Sequence, residues 1–377
     1  MSVIELARLP RIVAGPDARA RLAELAGGGA KVLLVADPGL KASGRIDEIE
    51  AVMRKGGARV AVFTELQSDP TIEQADAAAA LARAHGADTV VALGGGSALD
   101  LGKTVAAVAP ASASAGIYQL CEAPFPAKPL RKICVPTTAG TGSETTRTAI
   151  LTRADHAKVW LWGDEIKADV VVLDPELTRT LPPHLTAATG IDALVHAVEA
   201  ATNRNANSAS DLYAFEAIRL VSRHLLRAIE APDDLEARGG MLWAAAYGGV
   251  AIDNSGTAIA HALGHALGSL KPIHHGRAVG VAMLASLPWN VEDNEKFARC
   301  AEAMGAKATG IGFIDAFEKI LRASGVKISL REEFAGVTPE ALAVQTERPE
   351  NDAMLSSNRR AASRADLIGI AERMLAP

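Results

Sequence analysis

Residues 89–97 read Thr-Val-Val-Ala-Leu-Gly-Gly-Gly-Ser. The first five residues form a short apolar and β-branched run, which is typical of a strand buried on both faces of a sheet. Three glycines follow at once, and the Ala-rich stretch from Ala98 to Ala109 has the composition of a helix. A strand, a glycine turn and a helix in this order predict one unit of a parallel α/β sheet.

The same alternation extends through the first half of the chain. Further apolar runs predict strands over residues 31–36, 59–63, 132–135 and 170–173, and helical stretches lie over residues 17–26, 46–55 and 71–85. After Pro182-Pro183 the β-branched runs stop, and long segments rich in Ala, Leu, Glu and Arg continue to Leu375. We therefore predict an α/β dinucleotide-binding domain over residues 1–182 and an all-helical domain over residues 183–377.

Composition narrows the class of protein. The 377 residues carry a formal net charge of −5 and contain no run of Lys and Arg, which argues against nucleic acid and anionic membranes as partners. The three cysteines are widely spaced and form no Cys-x-x-Cys motif, so neither a disulfide framework nor a thiolate metal site is expected. With no signal-peptide pattern and no apolar run of about eighteen residues, we expect a cytoplasmic enzyme.

The glycine turn at Gly94, Gly95 and Gly96 is suited to phosphate binding. Glycines let a phosphate approach the backbone, and the following helix offers unpaired N–H groups at its start. The sequence does not match the Rossmann fingerprint, which requires glycine at the position of Leu99. It does not match the P-loop motif either, which requires glycine at the position of Ser97. A tight turn without a ligand is the alternative interpretation.

Two further features lie where ligands bind in open α/β sheets, at the ends of predicted strands. Residues 136–144 read Pro-Thr-Thr-Ala-Gly-Thr-Gly-Ser-Glu, a loop of hydroxyls and small side chains. Asp37 ends an earlier strand, where a carboxylate can hold a ribose hydroxyl and repel a 2′-phosphate, which favours NAD over NADP. The alternative role for Asp37 is to cap the turn at Pro38-Gly39.

The helical half contains a second pattern, between Gly190 and Gly276. Asp192 and His196 are four residues apart, as are His261 and His265, and His274-His275 follows. Residues four apart share one helix face, so each pair presents two side chains able to bind a metal. Any one of the nine histidines alone is better explained as a structural residue, but this clustering favours a divalent metal such as iron, with zinc as the alternative.

Together these segments resemble the iron-containing (group III) alcohol dehydrogenase family. The matching motifs occur in the family's order, from Gly94 to Lys103, from Pro136 to Glu144, from Gly190 to Glu199, and from His261 to Gly276. The resemblance covers nearly the whole chain. It implies a dehydroquinate-synthase-like fold, with an α/β dinucleotide-binding domain followed by an all-helical metal domain.

The resemblance also implies roles for individual residues. The metal ligands are Asp192, His196, His261 and His275; His275 is preferred to His274 because it directly precedes Gly276. His265 lies near the nicotinamide and is our candidate for proton relay, with a supporting structural role as the alternative. The implied cofactor contacts are Asp37, Gly94, Gly95, Gly96, Ser97, Asp100, Thr137, Thr138, Thr141 and Lys158. For Asp100, an ion pair with Lys103 on the same helix is the alternative.

The resemblance implies a metal-dependent, NAD(P)-linked alcohol dehydrogenase or aldehyde reductase, with NAD preferred to NADP. It would act on a small-molecule alcohol, aldehyde or keto substrate, as a homodimer. The main rival is a metal-independent reductase like the maleylacetate reductases, which generally lack the ligand aspartate that this chain has at Asp192. Two further rivals are a lyase or cyclase on the same fold and a non-catalytic NAD-binding or structural protein.

Overall fold

The structure, a computed structural model, describes residues 3–291 and 295–376. The chain divides into two compact units. The α/β unit comprises Arg8–Thr138 and Gly142–Thr180, and the helical unit comprises Met1–Ala7, Ala139–Thr141 and Leu181–Pro377. The N-terminal segment is attached to the helical unit by the Ala7 N–H, which donates to Asn254 Oδ1 at 2.8 Å.

The α/β unit is built on a six-stranded sheet. Its strands are β1 (Arg11–Ala14), β2 (Lys31–Ala36), β3 (Arg59–Phe63), β4 (Thr89–Gly94), β5 (Arg131–Pro136) and β8 (Val170–Leu173). They lie in the order β1-β8-β5-β4-β2-β3, with every pair parallel. The five predicted strands are present within one residue at each end, and the α/β prediction for this unit is confirmed. The sequence-based prediction missed β1, a four-residue edge strand with no buried residue.

Alternate residues of the inner strands enter two different cores. Leu33 and Val35 of β2 pack on one side of the sheet, whereas Val32 and Leu34 pack on the other. Both faces are apolar because helices cover both, which is why these strands read as continuous apolar runs. The helices of this unit are α1 (Leu22–Leu25), α2 (Arg45–Lys55), α3 (Ile72–His85) and α4 (Gly96–Val108).

A hairpin of β6 (Thr148–Thr152) and β7 (Lys158–Trp162) forms a separate two-stranded sheet. Its inward residues, among them Ala149, Leu151 and Leu161, join the same core as Leu33. Burial alternates along both strands, but the residue types do not, because Ala149 to Leu151 and Val159 to Trp162 are all apolar. The prediction missed the hairpin because each strand has only five residues and lacks the polar and apolar alternation that marks a half-buried strand.

The helical unit contains ten α-helices among its described residues. They are α5 (Pro183–Thr202), α6 (Ser208–Glu230), α7 (Leu235–Ser255), α8 (Ile259–Leu270), α9 (His275–Asn290), α10 (Glu295–Ala303), α11 (Gly310–Ala323), α12 (Pro339–Thr346), α13 (Asp352–Ser357) and α14 (Arg364–Leu375). α5 lies at the centre, packed against α6, α7 and α9. Every residue of α5 from Thr186 to Thr202 is buried, so this helix is enclosed on all sides. Across the described residues, we find no helix with the length and apolar character needed to cross a membrane.

Candidate active site

The buried helix α5 carries three ionisable side chains. Asp192, His196 and Glu199 are 2%, 6% and 2% exposed. Spacings of four and three residues place them along one face of the helix. Polar groups removed from water in this way need partners, because an unsatisfied buried polar atom costs about 1–3 kcal/mol.

Asp192 faces two histidines from α8 and α9. Its Oδ1 lies 3.7 Å from Nε2 of His261 and 3.5 Å from Nε2 of His275. The potential ligand atoms of these three residues all lie within 4.8 Å of one another. His196 lies beside them: its Nδ1 is 3.8 Å from the same Asp192 oxygen, and its ring stacks on that of His261 with centroids 4.5 Å apart. The structure thus brings together all four side chains that the sequence selected as metal ligands.

The two adjacent histidines before Gly276 differ in burial and in their contacts with Asp192. His274 is exposed and occupies the residue before α9, whereas His275 begins the helix and approaches Asp192. Gly276 lets α9 come this close, because a Cβ at this position would lie 2.0 Å from the backbone oxygen of Ala188 on α5. The spacing argument for His275 therefore agrees with the geometry.

The cluster has the properties of a cation site. Asp192 Oδ1, His196 Nδ1 and His261 Nε2 are buried and have no hydrogen-bond partner among the described residues. Two ligand atoms about 2.1 Å from one tetrahedral ion are separated by about 3.4 Å. The separations of 3.5 to 3.8 Å from Asp192 Oδ1 are close to that value. One carboxylate and three imidazoles, with no thiolate, suit a divalent ion such as Fe²⁺ or Zn²⁺, so the residues present fit the implied metal.

Glu199 is a member of the site that the ligand prediction left out. Its Oε2 lies 2.6 Å from His261 Nδ1 and accepts a hydrogen bond from the Ala258 N–H at 2.8 Å. Its Oε1 accepts from the Ala260 N–H at 2.6 Å. Its position three residues after His196 on the same helix is the feature of the sequence that would have identified it.

Burial controls the charge of the groups around His261. It lowers the pKa of the His261 imidazole to about 3, and the nearby His196 adds to the effect. The ring is therefore neutral at pH 7, which is the state that can bind a metal. Burial raises the pKa of the Glu199 carboxyl to about 7, against the hydrogen bonds from Ala258 and Ala260, which lower it.

His265, the candidate for proton relay, lies one turn along α8 from His261. Its ring centroid is 5.3 Å from that of His275 and 6.3 Å from that of His261. Unlike His261, it is only partly buried. The side chain is therefore next to the cluster and reachable from solvent, which is compatible both with proton transfer and with support of His275.

In the α/β unit, the glycine turn lies where the connections of the sheet diverge. β2 continues through α2 to β3 on one side, whereas β4 continues through α4 to β5 on the other, and β2 and β4 are neighbours. Such a switch point, at the carboxyl ends of the strands, is where open α/β sheets bind ligands. Gly94 has φ +149°, and a Cβ there would lie 2.9 Å from Cβ of Asp37 and 2.7 Å from that of Ala98. Helix α4 begins at Gly96, so the N–H groups of its first turn lie next to the glycine turn.

Asp37 lies beside this turn and caps the next one. Its backbone N–H donates to Leu93 O at 3.0 Å, which joins the ends of β2 and β4. Its Oδ1 accepts from the Gly39 N–H at 2.8 Å. The turn-capping role is therefore real, and the second carboxylate oxygen gives Asp37 further capacity to accept a hydrogen bond from a ribose hydroxyl.

Most of the other predicted cofactor residues surround the same turn. Thr137 donates its N–H to Gly94 O at 2.9 Å, and a Cβ on Gly95 would lie 3.3 Å from Cγ2 of Thr138. Ser97 and Lys158 both contact Asp69. The Asp69 N–H donates to Ser97 Oγ at 3.2 Å, and Lys158 Nζ lies 2.9 Å from Asp69 Oδ1. Thr141, in contrast, belongs to the short segment Ala139–Thr141 of the helical unit.

Asp100 has its contacts within the protein. Its Oδ1 accepts from Ser143 Oγ at 2.5 Å and lies 3.3 Å from Lys103 Nζ, and its Oδ2 accepts from the Ile150 N–H at 3.0 Å. Lys103 is fully buried and donates to the backbone oxygens of Ser143 and Thr148 at 2.7 and 2.5 Å. These contacts attach α4 to the loop that follows β5 and support the ion-pair role for Asp100.

Two family models match the chain. Residues 10–175 match the family described as Iron-containing alcohol dehydrogenase, and residues 186–375 match its C-terminal counterpart, described as Fe-containing alcohol dehydrogenase family, C-terminal. The two matches together span most of the chain.

Individual relatives are similar along much of their length. Long-chain-alcohol dehydrogenase 1 of Geobacillus thermodenitrificans is 41% identical over 258 residues, which are 68% of this chain and 65% of that protein. NAD-dependent methanol dehydrogenase of Bacillus methanolicus is 32% identical over 92% of this chain and 93% of its own. The crystal structure of sulfoacetaldehyde reductase from Bifidobacterium kashiwanohense in complex with NAD⁺ superposes with a TM-score of 0.92 at 26% identity and covers 100% of both chains. The chain belongs to the iron-containing alcohol dehydrogenase family.

Proposed function

We propose that this protein is a metal-dependent, NAD-linked dehydrogenase that interconverts an alcohol and its aldehyde or ketone. The observation that carries the proposal is the cluster of Asp192, His196, His261 and His275, in which three buried polar atoms have no partner among the described residues. Packing alone does not explain these buried ligand atoms, because unsatisfied buried polar groups destabilise a fold. A bound divalent cation removes that cost.

The four side chains would hold the cation with one negative charge among them, that of Asp192. A divalent ion then keeps a net positive charge, and it supplies Lewis-acid chemistry that lowers the pKa of an alcohol hydroxyl or polarises a carbonyl. The neutral state of His261, set by its burial, prevents a proton from competing for the Nε2 lone pair. The protein keeps these groups in place on three packed helices, so the site needs little reorganisation.

The α/β unit would bind the dinucleotide through the turn at Gly94 to Ser97. The start of α4 offers N–H groups to a pyrophosphate, and Gly94 leaves space beside Asp37 that a side chain would fill. Asp37 would accept a ribose hydroxyl and disfavour a 2′-phosphate, which selects NAD over NADP. Hydride transfer to and from the nicotinamide then belongs to the cofactor's own chemistry.

His265 would exchange the alcohol proton with solvent. It is the histidine beside the cluster that the four-ligand set does not use, and it is partly exposed. Imidazole is suited to proton transfer near neutral pH. Support for His275 by packing stays the alternative role.

The names of the relatives indicate alcohols and aldehydes of varied size as the substrate class. They include a long-chain-alcohol dehydrogenase, a methanol dehydrogenase and a sulfoacetaldehyde reductase. We therefore propose an alcohol, an aldehyde or a ketone as the substrate class, with no restriction on chain length. A homodimeric assembly and a cytoplasmic location stay predictions.

The test is to purify the wild type without chelator, measure iron and zinc per chain, and assay NADH formation on a panel of primary and secondary alcohols. About one equivalent of metal and NAD-linked turnover, both lost after chelation and restored by Fe²⁺ or Zn²⁺, are expected. A folded, metal-free protein that reduces keto acids with NADH at full rate would instead support the metal-independent reductase.

A further inference from the structure

We infer that Glu199 is a positioning residue for the metal centre, which fixes the tautomer of His261 and holds the start of α8 against α5. The inference rests on the proposed metal function. The buried carboxylate of Glu199 would thereby connect α5 and α8, two helices that carry predicted metal ligands.

The contacts of Glu199 are all with possible donors. The Ala258 and Ala260 N–H groups donate to Oε2 and Oε1 at 2.8 and 2.6 Å, and His261 Nδ1 lies 2.6 Å from Oε2. Two of the three are backbone groups that can only donate. Ionised Glu199 accepts all three hydrogen bonds when His261 donates from Nδ1, whereas a glutamine amide has one accepting oxygen instead of two.

This arrangement decides which nitrogen of His261 carries the proton. When Nδ1–H donates to Glu199, Nε2 keeps a lone pair. Nε2 is the atom that faces Asp192 at 3.7 Å and has no hydrogen-bond partner in the described part of the chain. A carboxylate behind a metal-binding histidine orients the ring and raises its basicity, and loss of such a partner typically weakens metal binding 10- to 100-fold.

Glu199 also caps the N-terminus of α8 from the neighbouring helix. Ala258, the residue before the helix, has no side chain that can accept a hydrogen bond and so makes no cap of its own. The first N–H groups of a helix need acceptors, and a negative charge near them is favourable. Glu199 supplies both from the neighbouring helix, 59 residues earlier in the chain than Ala258. His261 lies within this first turn, so the cap and the ligand are held together.

The test compares Glu199→Gln with Asp234→Ala. The glutamine side chain has the size of the native one, but its NH₂ group replaces one accepting oxygen and cannot accept a hydrogen bond from the N–H group that faces it. Asp234 is the matched control because it caps α7 through the Ala237 N–H and has no part in the cluster. For each metal-free protein, we would measure the Zn²⁺ dissociation constant by competition with a chromophoric chelator, and the melting temperature.

We expect Glu199→Gln to raise the Zn²⁺ dissociation constant 10- to 100-fold. Asp234→Ala should lower the melting temperature while leaving that constant within about threefold, since loss of a cap alone typically costs ~1 kcal/mol of stability. An unchanged constant in folded Glu199→Gln would overturn the inference and leave the proposed function standing. A wild type with no measurable Zn²⁺ affinity would overturn the proposed function itself.

A second measurement needs no folded variant at position 199. In metal-free wild type with ¹⁵N-labelled histidine at pH 8, where most of Glu199 is ionised, the His261 resonances should show the tautomer protonated at Nδ1, assigned by their loss in His261→Gln. A predominant Nε2–H tautomer would contradict the inference independently of any activity.

Discussion

Gly276 on α9 lies directly against the backbone oxygen of Ala188 on α5, where a Cβ would stand 2.0 Å from that oxygen and 3.2 Å from Cβ of Asp192. The contact brings the first turn of α9, and with it His275, onto the helix that carries Asp192. Because the neighbouring atom is backbone, it cannot move aside as a side chain would. The distance between Asp192 and His275, two of the predicted metal ligands, therefore depends on the absence of a side chain at residue 276.

Gly276→Ala should accordingly displace α9 and weaken metal binding. We expect a loss of stability of about 1–3 kcal/mol from overpacking, and a Zn²⁺ dissociation constant at least tenfold higher. Gly248→Ala is the control, because a Cβ there would lie 3.5 Å from Ala193 O and 3.7 Å from His196 Cβ, which is ordinary contact. Metal titration and thermal unfolding of both variants would check this, and equal metal affinity in the two would contradict it.

The two histidines before Gly276 should differ sharply in their effect. His275→Ala removes a side chain 3.5 Å from Asp192, and we expect the metal content of purified protein to fall from about one equivalent to below a tenth. His274 is exposed, so His274→Ala should retain the metal. Elemental analysis of both variants gives the answer, and a loss of metal in His274→Ala alone would assign the ligand to the other histidine.

The success of sequence-based prediction depended on how far apart the interacting residues lie in the chain. Asp192 and His196 share one helix turn, so their spacing alone places them together. The strand at residues 89–94 and its glycine turn are equally local. The contact between Glu199 and His261 joins residues 62 apart, and no local pattern specifies it. Periodicity likewise could not show that His274 faces outward and His275 inward, since that depends on where α9 begins.

Asp37 should control the choice between NAD and NADP. Asp37→Asn keeps an oxygen that can accept from the Gly39 N–H, so the turn should remain intact. The variant lacks the negative charge that would repel a 2′-phosphate. We expect the preference for NAD in kcat/KM to fall by about 1–2 kcal/mol, or about tenfold, at low ionic strength. Initial rates with both cofactors would measure it, and an unchanged ratio would limit Asp37 to its turn-capping role.

His265→Ala separates proton transfer from support of the metal. A relay contributes typically 10²- to 10⁴-fold to the rate, so kcat should fall by about two orders of magnitude while metal content stays near one equivalent. If the ring mainly supports His275, from which its centroid is 5.3 Å away, metal content and kcat should fall together. Metal analysis beside steady-state kinetics distinguishes the two. His265→Gln, which keeps polar bulk but cannot relay a proton at neutral pH, should resemble the alanine variant only in the first case.

Glu144 should make the stability of the protein depend on pH. It is 2% exposed, its Oε1 has no hydrogen-bond partner among the described residues, and burial raises the pKa of its carboxyl to about 7. Below pH 4.5 this carboxyl is protonated in the folded and unfolded states alike. As the pH rises from there towards 7, the unfolded chain loses the proton first, so the free energy of unfolding falls, by at most about 3 kcal/mol in total.

Glu144→Gln removes this cost, and its melting temperature should exceed that of the wild type at pH 8 by more than at pH 5. Glu236→Gln is the control, because hydrogen bonds from Arg227 lower the pKa of Glu236 and its loss should bring no such gain. A Glu144→Gln variant less stable than the wild type at pH 8 would mean that attraction to the nearby Lys103 outweighs the cost of burying the charge.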